Sequence, residues 1–466
     1  MNIFFGAGAL GTKYYTAWKE SGIAVDYFID NDPALWYKRV EGVEVLPPKK
    51  LKDFAEDINI LITCRNWKPI WRQLLELGLQ EHQIRKCDSI DMLAAKEFSS
   101  LWPSLEIPGN TEFSPRDVLF TLDYGLTLGG VEHWSLDTAK DLHKLGWNTC
   151  ILLNRDVRLL LSKRETAHKL KIVCAEASTV REELSRITGT MLRYRNIICN
   201  FFGYNLMAAI RIKKQFPMEY RVIAVLHIDQ EEYYQGYLDV EPYLDKCLII
   251  SSKMDAEMKK RGFPKEKLMY LPLEIPCNEV FFHCYSRYNE PLRIGYAGRL
   301  VVKQKRVDLL IIVAKKLEER GIDFRMEIVG TGSYEQELHL QIHAAGLQNK
   351  VCCLGMLEDS RQFWFSQDVM ITCSEWEGHS GSQCEAMAAG AVPVVTDTSG
   401  VRDDVEDGKN GFVVEIGNVD QMVERLCFLY TNRKRLAEFG KRAHEAILKR
   451  NQSFDTQTLW EDILLK

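Results

Sequence analysis

Residues 369–396 read VMITCSEWEGHSGSQCEAMAAGAVPVVT. Val369–Cys373 is a short apolar run that stops at a polar loop, which predicts a buried strand. A loop rich in glycine and serine follows, and a stretch of small residues then closes at Gly390, as a helix with a glycine cap would. Val392–Thr396 is a second apolar run rich in β-branched residues. Strand, helix and strand in this order form a βαβ unit, so the stretch predicts a parallel sheet with helices packed against it.

The same alternation extends outward over about 291–450. Arg293–Tyr296, Arg325–Val329, Val351–Leu354 and Gly411–Val414 are further short apolar runs followed by turns. Residues 116–290 repeat the design, with predicted strands at Val118–Leu122, Cys150–Leu153, Ile197–Phe201, Val222–Leu226 and Cys247–Ser251. A glycine turn at Gly129-Gly130 leads there into a helix from near Val131 to near Gly146. Residues 1–98 form a smaller α/β unit, with strands at Asn2–Phe5, Val25–Ile29 and Ile58–Thr63 and a helix at Lys68–Leu77. Between them, 99–115 is broken by Pro103, Pro108, Gly109, Asn110 and Pro115 and reads as a linker. The final segment, 451–466, carries a short amphipathic helix at Phe454–Leu465. The fold class is α/β: two doubly wound domains preceded by a small third one. Open sheets of this kind bind ligands beyond the carboxyl ends of their strands.

Unusual residues gather in those loops. Arg299 follows the strand Arg293–Tyr296 at a glycine turn, and Lys305 lies six positions later beside a predicted helix start. An arginine grips two oxygens at once and a lysine adds a compact charge, so the pair suits a diphosphate. As plain surface cations they would oppose the helix dipole unless an anion lay between them. Gly330 and Gly332 follow the next strand as GxG, where a ligand can approach the backbone. Glu377 and Glu385 stand eight apart across the glycine–serine loop. The amides near Gly381 and Ser382 open a helix toward an anion. Glu385, about one turn in, has two oxygens for a diol, and Glu377 can accept further hydroxyls. The alternative is a solvated loop with two exposed acids over a packed helix.

In order, these segments read AGRL at 297–300 with Lys305 beyond it, VGTG at 329–332, LG at 354–355, EG at 377–378, EAMAAG at 385–390, PVV at 393–395 and NGFVV at 410–414. The set resembles the retaining glycosyltransferases of the GT-B fold, called family four or glycosyl transferases group 1. The resemblance covers the third unit and, more loosely, the second. It implies GT-B architecture and a nucleotide-sugar donor, UDP- or GDP-linked. It also implies a glycan, lipid-linked or protein acceptor and a role in surface polysaccharide or glycoconjugate synthesis. It implies that Arg299 and Lys305 hold the diphosphate, that Gly355 and Met356 lie along the base, and that Glu385 binds the ribose. Glu377 would contact the transferred sugar, and Gly381 and Ser382 would cap the phosphate. Gly129 and Gly130 would lie beneath the donor phosphates. His227, which follows a buried strand, would more often be structural, but the resemblance places it beside the donor sugar. The reaction would retain anomeric configuration and need no metal. Many relatives carry Phe-Gly where this chain has His379-Ser380, which bears on the sugar pocket.

The first unit carries GxGxxG at Gly6, Gly8 and Gly11, with Asp30 at the end of the second strand. This fits a dinucleotide fingerprint. The unit is too short for two mononucleotide-binding halves, and it resembles small Rossmann-like domains attached to bacterial surface-polysaccharide enzymes. Nucleotide binding and a structural or assembly role both stay open. Asp30-Asn31-Asp32 is not read as a metal site, and no cofactor is expected elsewhere.

A net charge of −5 gives no basic excess for nucleic acid. The N-terminus has no signal-peptide pattern, and no run reaches the ~18 apolar residues of a membrane span. Thirteen cysteines without CxxC spacing fit reduced thiols, so the expected location is the cytoplasm. Peripheral contact at the inner face of the membrane, through the basic, apolar stretch 208–216, stands beside the plainer reading of a solvated helix face. Rival functions are a sugar-nucleotide epimerase on a related fold, a non-catalytic scaffold, or an oxidoreductase built on the first unit.

Overall fold

A computed structural model describes residues 1–54, 58–64, 67–86, 101–109, 113–127, 129–157, 170–271, 273–357 and 360–465. They fall into two compact units. One holds Met1–Leu126, Trp147–Arg158 and Leu170–Val222, and the other holds Thr127–Gly146 and Ile223–Lys466.

In the first unit, β1 (Asn2–Phe5), β2 (Tyr27–Ile29), β3 (Arg39–Val40), β4 (Val43–Leu46), β5 (Asn59–Ile62) and β6 (Ile84–Lys86) form one sheet in the order β3-β4-β2-β1-β5-β6. Only the β3–β4 pairing is antiparallel. Phe4 pairs with Phe28 and Leu61 in register, and Ile3, Phe5, Ile29, Ile60 and Ile62 feed one core. The strand expected at Val25–Ile29 begins two residues later, at Tyr27, because Val25 precedes the pairing with β1.

The same unit holds the parallel strands β7 (Asp117–Leu122), β8 (Asn148–Leu153), β9 (Lys171–Cys174) and β10 (Asn196–Cys199). They run in the order β10-β7-β8-β9. The helix Tyr204–Gln215 turns Leu206, Ala208, Ala209, Ile210 and Ile212 inward. The apolar residues Ala208, Ala209, Ile210 and Ile212 of the stretch considered for membrane contact therefore belong to the core, Phe216 is half-buried, and the exposed residues are polar. In the segment read as a linker, the described part is irregular but packed: Leu101, Trp102 and Leu105 are buried, and Arg211 lies over the Trp102 ring. Apolar side chains of that size bury themselves whatever the backbone conformation. Residues 99–100 and 110–112 of that segment lie outside the described residues.

The second unit contains β11 (Arg221–Leu226), β12 (Lys246–Ile249) and β13 (Leu268–Tyr270), which pair in parallel from Ile223 onward. Its second sheet comprises β14 (Leu292–Ala297), β15 (Phe324–Val329), β16 (Val351–Gly355), β17 (Val369–Thr372), β18 (Val392–Thr396) and β19 (Phe412–Val414). The order is β16-β15-β14-β17-β18-β19 and every pairing is parallel. Alternate strand residues feed two cores, as strand geometry requires. Ile294, Tyr296, Ile371 and Val394 join the helices Asp308–Glu319 and Val419–Thr431 on one face. Ala297, Met370 and Val395 join Gly381–Ala389 and Lys434–Gln452 on the other. A methyl group at Gly295 would stand 2.8 Å from Trp364, so the bare backbone lets a fully buried tryptophan lie against the strand. Strand order reverses between β14 and β17, which makes their carboxyl ends the topological switch point where such sheets bind ligands.

Candidate functional site

The loops leaving β14 and β17 carry the charged residues singled out above, all within the second unit. Lys305 Nζ lies 2.5 Å from Glu377 Oε1, with both side chains mostly buried. Ser374 Oγ donates to the same oxygen at 2.7 Å. Arg299, exposed, donates from Nη2 to Gln304 Oε1 at 2.8 Å. The Gln304 amide reaches back to Trp376 O at 3.3 Å, and the Gln304 carbonyl accepts Glu375 N at 2.8 Å. Gln304 thus ties the arginine to the acidic loop. The reading of Glu377 as an exposed acid fails, since only 8% of the residue is exposed. Its carboxylate already holds a lysine and a hydroxyl, so a diphosphate at Lys305 has to share that lysine with Glu377.

Arg306, next in line, sits in the left-handed region at φ 46°, where glycine is favoured. Its guanidinium is held by Asp308 and Glu375. Sequence reasoning passed over Gln304, Ser374 and Arg306, because hydrogen bonds across the loops leave no periodic trace.

The helix Gly381–Ala389 begins where the sequence places it. Ser380 is its N-cap and accepts Gln383 N at 3.4 Å, and Gly390 closes it at φ 92°. The first-turn amides of Gly381 and Ser382 lie beyond any intrahelical acceptor. Glu385 accepts Ser360 Oγ at 2.6 Å on one oxygen.

The GxG glycines differ from their expected use. A methyl group on Gly330 would stand 1.9 Å from Gly298 O, and one on Gly332 would stand 2.3 Å from Leu300 O. Here the backbone that approaches closely is the AGRL loop itself, not a ligand. Gly330 N also bonds Gly355 O at 2.8 Å, and Gly355 turns at φ 65° into Met356. These glycines therefore set the spacing of the loops.

Gly129 shows the same pattern, for Glu132 folds its carboxylate over the turn, 2.2 Å from where a side chain would begin. Thr127 donates to Glu132 at 2.6 Å. Gly130 is exposed and faces open space, while Leu128 lies outside the described residues. His227 follows β11 and meets the Trp134 ring edge-on at 5.3 Å. Burial pushes its pKa down to about 3, so the imidazole is neutral at physiological pH. It can donate or accept a hydrogen bond but brings no charge. Its carbonyl oxygen would stand 2.1 Å from a methyl group on Gly378, which explains the glycine of the EG pair.

His379, expected to alter the sugar pocket, has its ring turned elsewhere. It contacts Ile250 O at 2.9 Å and Asp404 Oδ2 at 2.7 Å. With Cys384 these groups bring ligand-type atoms within 4.8 Å of one another. Arg450 places a cation there, 2.5 Å from Asp404 and 3.5 Å from Cys384, so these groups form a buried ion-pair network.

In the first unit, Gly6 follows β1 at φ 117°, and Gly11 packs so that a methyl group would stand 1.8 Å from Gly6 O. A methyl group on Gly8 would meet nothing within 4 Å. Asp30 accepts Ala7 N at 2.8 Å and Asp32 N at 2.9 Å. Thr63 Oγ1 donates to Gly6 O at 2.8 Å.

Residues 282–446 match the family described as Glycosyl transferases group 1. The chain is 29% identical over 169 residues to the poly(ribitol-phosphate) alpha-N-acetylglucosaminyltransferase of Staphylococcus aureus (strain COL), covering 36% of this chain and 34% of that protein. It is 24% identical over 222 residues to the capsular polysaccharide biosynthesis glycosyltransferase CapM of Staphylococcus aureus, covering 47% and 57%. The chain therefore spans about a third to just over half of the length of these relatives. Among solved structures, Anabaena Alr3699/HepE in complex with UDP and glucose matches at TM-score 0.61 with 19% identity, covering 74% of this chain and 98% of that one. No helix among the described residues is long and apolar enough to cross a membrane. With the β14–β17 switch point and its motifs in the family's order, residues 282–446 carry the match to the glycosyl transferases group 1, and the fold is the GT-B fold.

Proposed function

We propose that the chain is a retaining glycosyltransferase. Its donor is a nucleotide sugar, UDP- or GDP-linked, and its acceptor is a glycan, lipid-linked or protein group in surface polysaccharide or glycoconjugate synthesis. The observation that carries this reading is the group Arg299, Gln304, Lys305 and Glu377 at the switch point. Cleavage of the sugar–diphosphate bond leaves an anion. Arg299, Lys305 and the first-turn amides of Gly381 and Ser382 offer preorganised positive potential where that charge develops, and stabilisation of this kind usually contributes most to such catalysis. Glu385 takes the ribose, and Oε2 of Glu377, which accepts only the long 3.5 Å bond from the Gln304 amide, takes a hydroxyl of the transferred sugar. Neutral His227 serves as a hydrogen-bonding partner of that sugar. The acceptor approaches from the leaving-group face, and no side chain is assigned as a covalent nucleophile. The names of the relatives, an alpha-N-acetylglucosaminyltransferase and a capsular enzyme, support the retaining and surface-polysaccharide parts of the reading.

For the first unit we favour a structural or assembly role over nucleotide binding. Both Asp30 oxygens already accept backbone amides, and Thr63 occupies the switch point beside Gly6.

The test is a thermal-shift and hydrolysis screen of UDP-, GDP-, ADP- and dTDP-sugars on the full chain and on Glu385→Ala. Stabilisation by one nucleotide class, with slow donor hydrolysis that weakens in the variant, supports the transferase and names the donor. No response to any of them, or product formed without an acceptor by epimerisation, overturns it.

A further inference from the structure

His379 lies two residues beyond Glu377, and its imidazole is fully buried. Nδ1 is 2.9 Å from Ile250 O, and a carbonyl only accepts, so Nδ1 carries a proton. Nε2 is 2.7 Å from Asp404 Oδ2. The other Asp404 oxygen accepts Arg450 Nη1 at 2.5 Å, so the carboxylate is ionised and Nε2 also carries a proton. Geometry alone therefore makes the ring an imidazolium. Burial opposes that charge, but neighbouring Cys384 and Asp404 more than offset it and hold the group well above the ordinary histidine value. Asp404 in turn is held below the usual carboxylate range by His379 and Arg450, against the effect of burial.

The ring stands at the centre of a seam within the second unit. On one side are His227 and residues 250–252, at the ends of β11 and β12. On the other are the Glu377 loop and residues 399–404. Gly378 abuts His227 O, and Gly400 packs against the His379 ring. Ser251 Oγ and Ser399 Oγ lie 2.7 Å apart, and Ser252 N donates to Asp403 Oδ2 at 2.9 Å. The groups facing the ring are Cys384 from the helix Gly381–Ala389, Asp404 from Val401–Asp404 and Arg450 from Lys434–Gln452. Tyr270 of β13 reaches Asp403 beside them at 3.3 Å.

We propose that His379 is a positioning residue. As an imidazolium clamped between the Ile250 carbonyl and the Asp404–Arg450 pair, it fixes the loop that presents Glu377 and the start of the helix Gly381–Ala389. Loss of its ring proton at alkaline pH releases that loop. The part about donor binding rests on the transferase reading above. A neutral ring donates one hydrogen bond and leaves either Ile250 O or Asp404 facing a lone pair. The folded value is raised, so the stabilisation is fully present below about pH 6.5, the unfolded value, and disappears as pH rises through the folded value.

The experiment follows hydrogen exchange in the peptide spanning residues 374–384, corrected for intrinsic rates, in the full chain and in His379→Gln and Asp404→Asn. UDP and GDP binding by calorimetry runs alongside. At pH 7 His379→Gln, which keeps volume and one donor, exchanges this peptide at least tenfold faster while the rest of the chain is unchanged. The natural chain reaches that rate only on the alkaline side. Asp404→Asn removes the reason for the second proton and abolishes this pH dependence. A variant whose peptide exchanges like the natural chain, or nitrogen-15 shifts showing one bare ring nitrogen at pH 7, overturns the proposal. Stabilisation of the chain by Zn2+ that depends on His379 and Cys384 overturns it as well. If exchange behaves as expected while neither nucleotide binds the natural chain, the positioning role stands and the transferase reading falls.

Discussion

The first sheet and the last share one design and differ in chemistry. Setting aside the short antiparallel β3, the first sheet runs β4-β2-β1-β5-β6, and the last runs β16-β15-β14-β17-β18-β19. Both reverse order beside the first strand, and both follow that strand with a glycine turn, at Gly6 and at Gly298. In the last sheet the switch point carries Arg299, Lys305 and Glu377, charges held in place by Gln304 and Ser374. In the first it carries the Thr63 hydroxyl and an Asp30 carboxylate, each turned on the backbone. The lesson is that a shared topology offers a ligand position, and only poised and partly unspent polar groups turn it into a site.

The strongest way to break this comparison is Lys305→Ala. Removing one preorganised cation should lower donor turnover by about 10²–10³-fold, measured as nucleotide release. Turnover within threefold of the natural chain would mean that the charges at the last switch point are structural.

Gly378→Ala comes next. A methyl group forced against His227 O should cost about 1–3 kcal/mol in urea unfolding. Gly130→Ala, facing open space, should stay within about 0.5 kcal/mol.

Asp30→Asn probes the other sheet. Loss of a charged acceptor for the Ala7 and Asp32 amides should cost about 1–2 kcal/mol, since Asp30 is only partly buried. The affinity for UDP and GDP should not move, and a tenfold loss would reassign the first unit as a nucleotide site.

Arg306→Gly is the mildest. It relieves a left-handed residue by about 1 kcal/mol and removes two partly exposed ion pairs worth about as much, so the net change should stay under about 1 kcal/mol.

Periodicity and punctuation made most of the fold legible. The predicted strands at 2–5, 118–122 and 392–396 lie within observed ones or coincide with them, because each is a compact apolar run bounded by a turn. Short or mixed strands such as Lys171–Cys174 and Arg39–Val40 carried no such signal. The candidate site was legible as types of residue in a fixed order. Their partners were not: Gln304 reaches Trp376 across 72 positions, and His379 reaches Ile250 across 129.

By itself, the sequence determined the α/β class, the run of loop motifs and the helix that opens at Gly381. All of these depend on neighbours within a few residues along the chain. Only the tertiary structure decided how the polar groups are used. It turned Gly330 and Gly332 toward other loops, laid Glu132 over Gly129, paired Lys305 with Glu377 and enclosed His379 with Asp404 and Arg450. Hydrogen bonds and buried charges depend on what the folded chain brings within about 3 Å, and no local pattern records that distance.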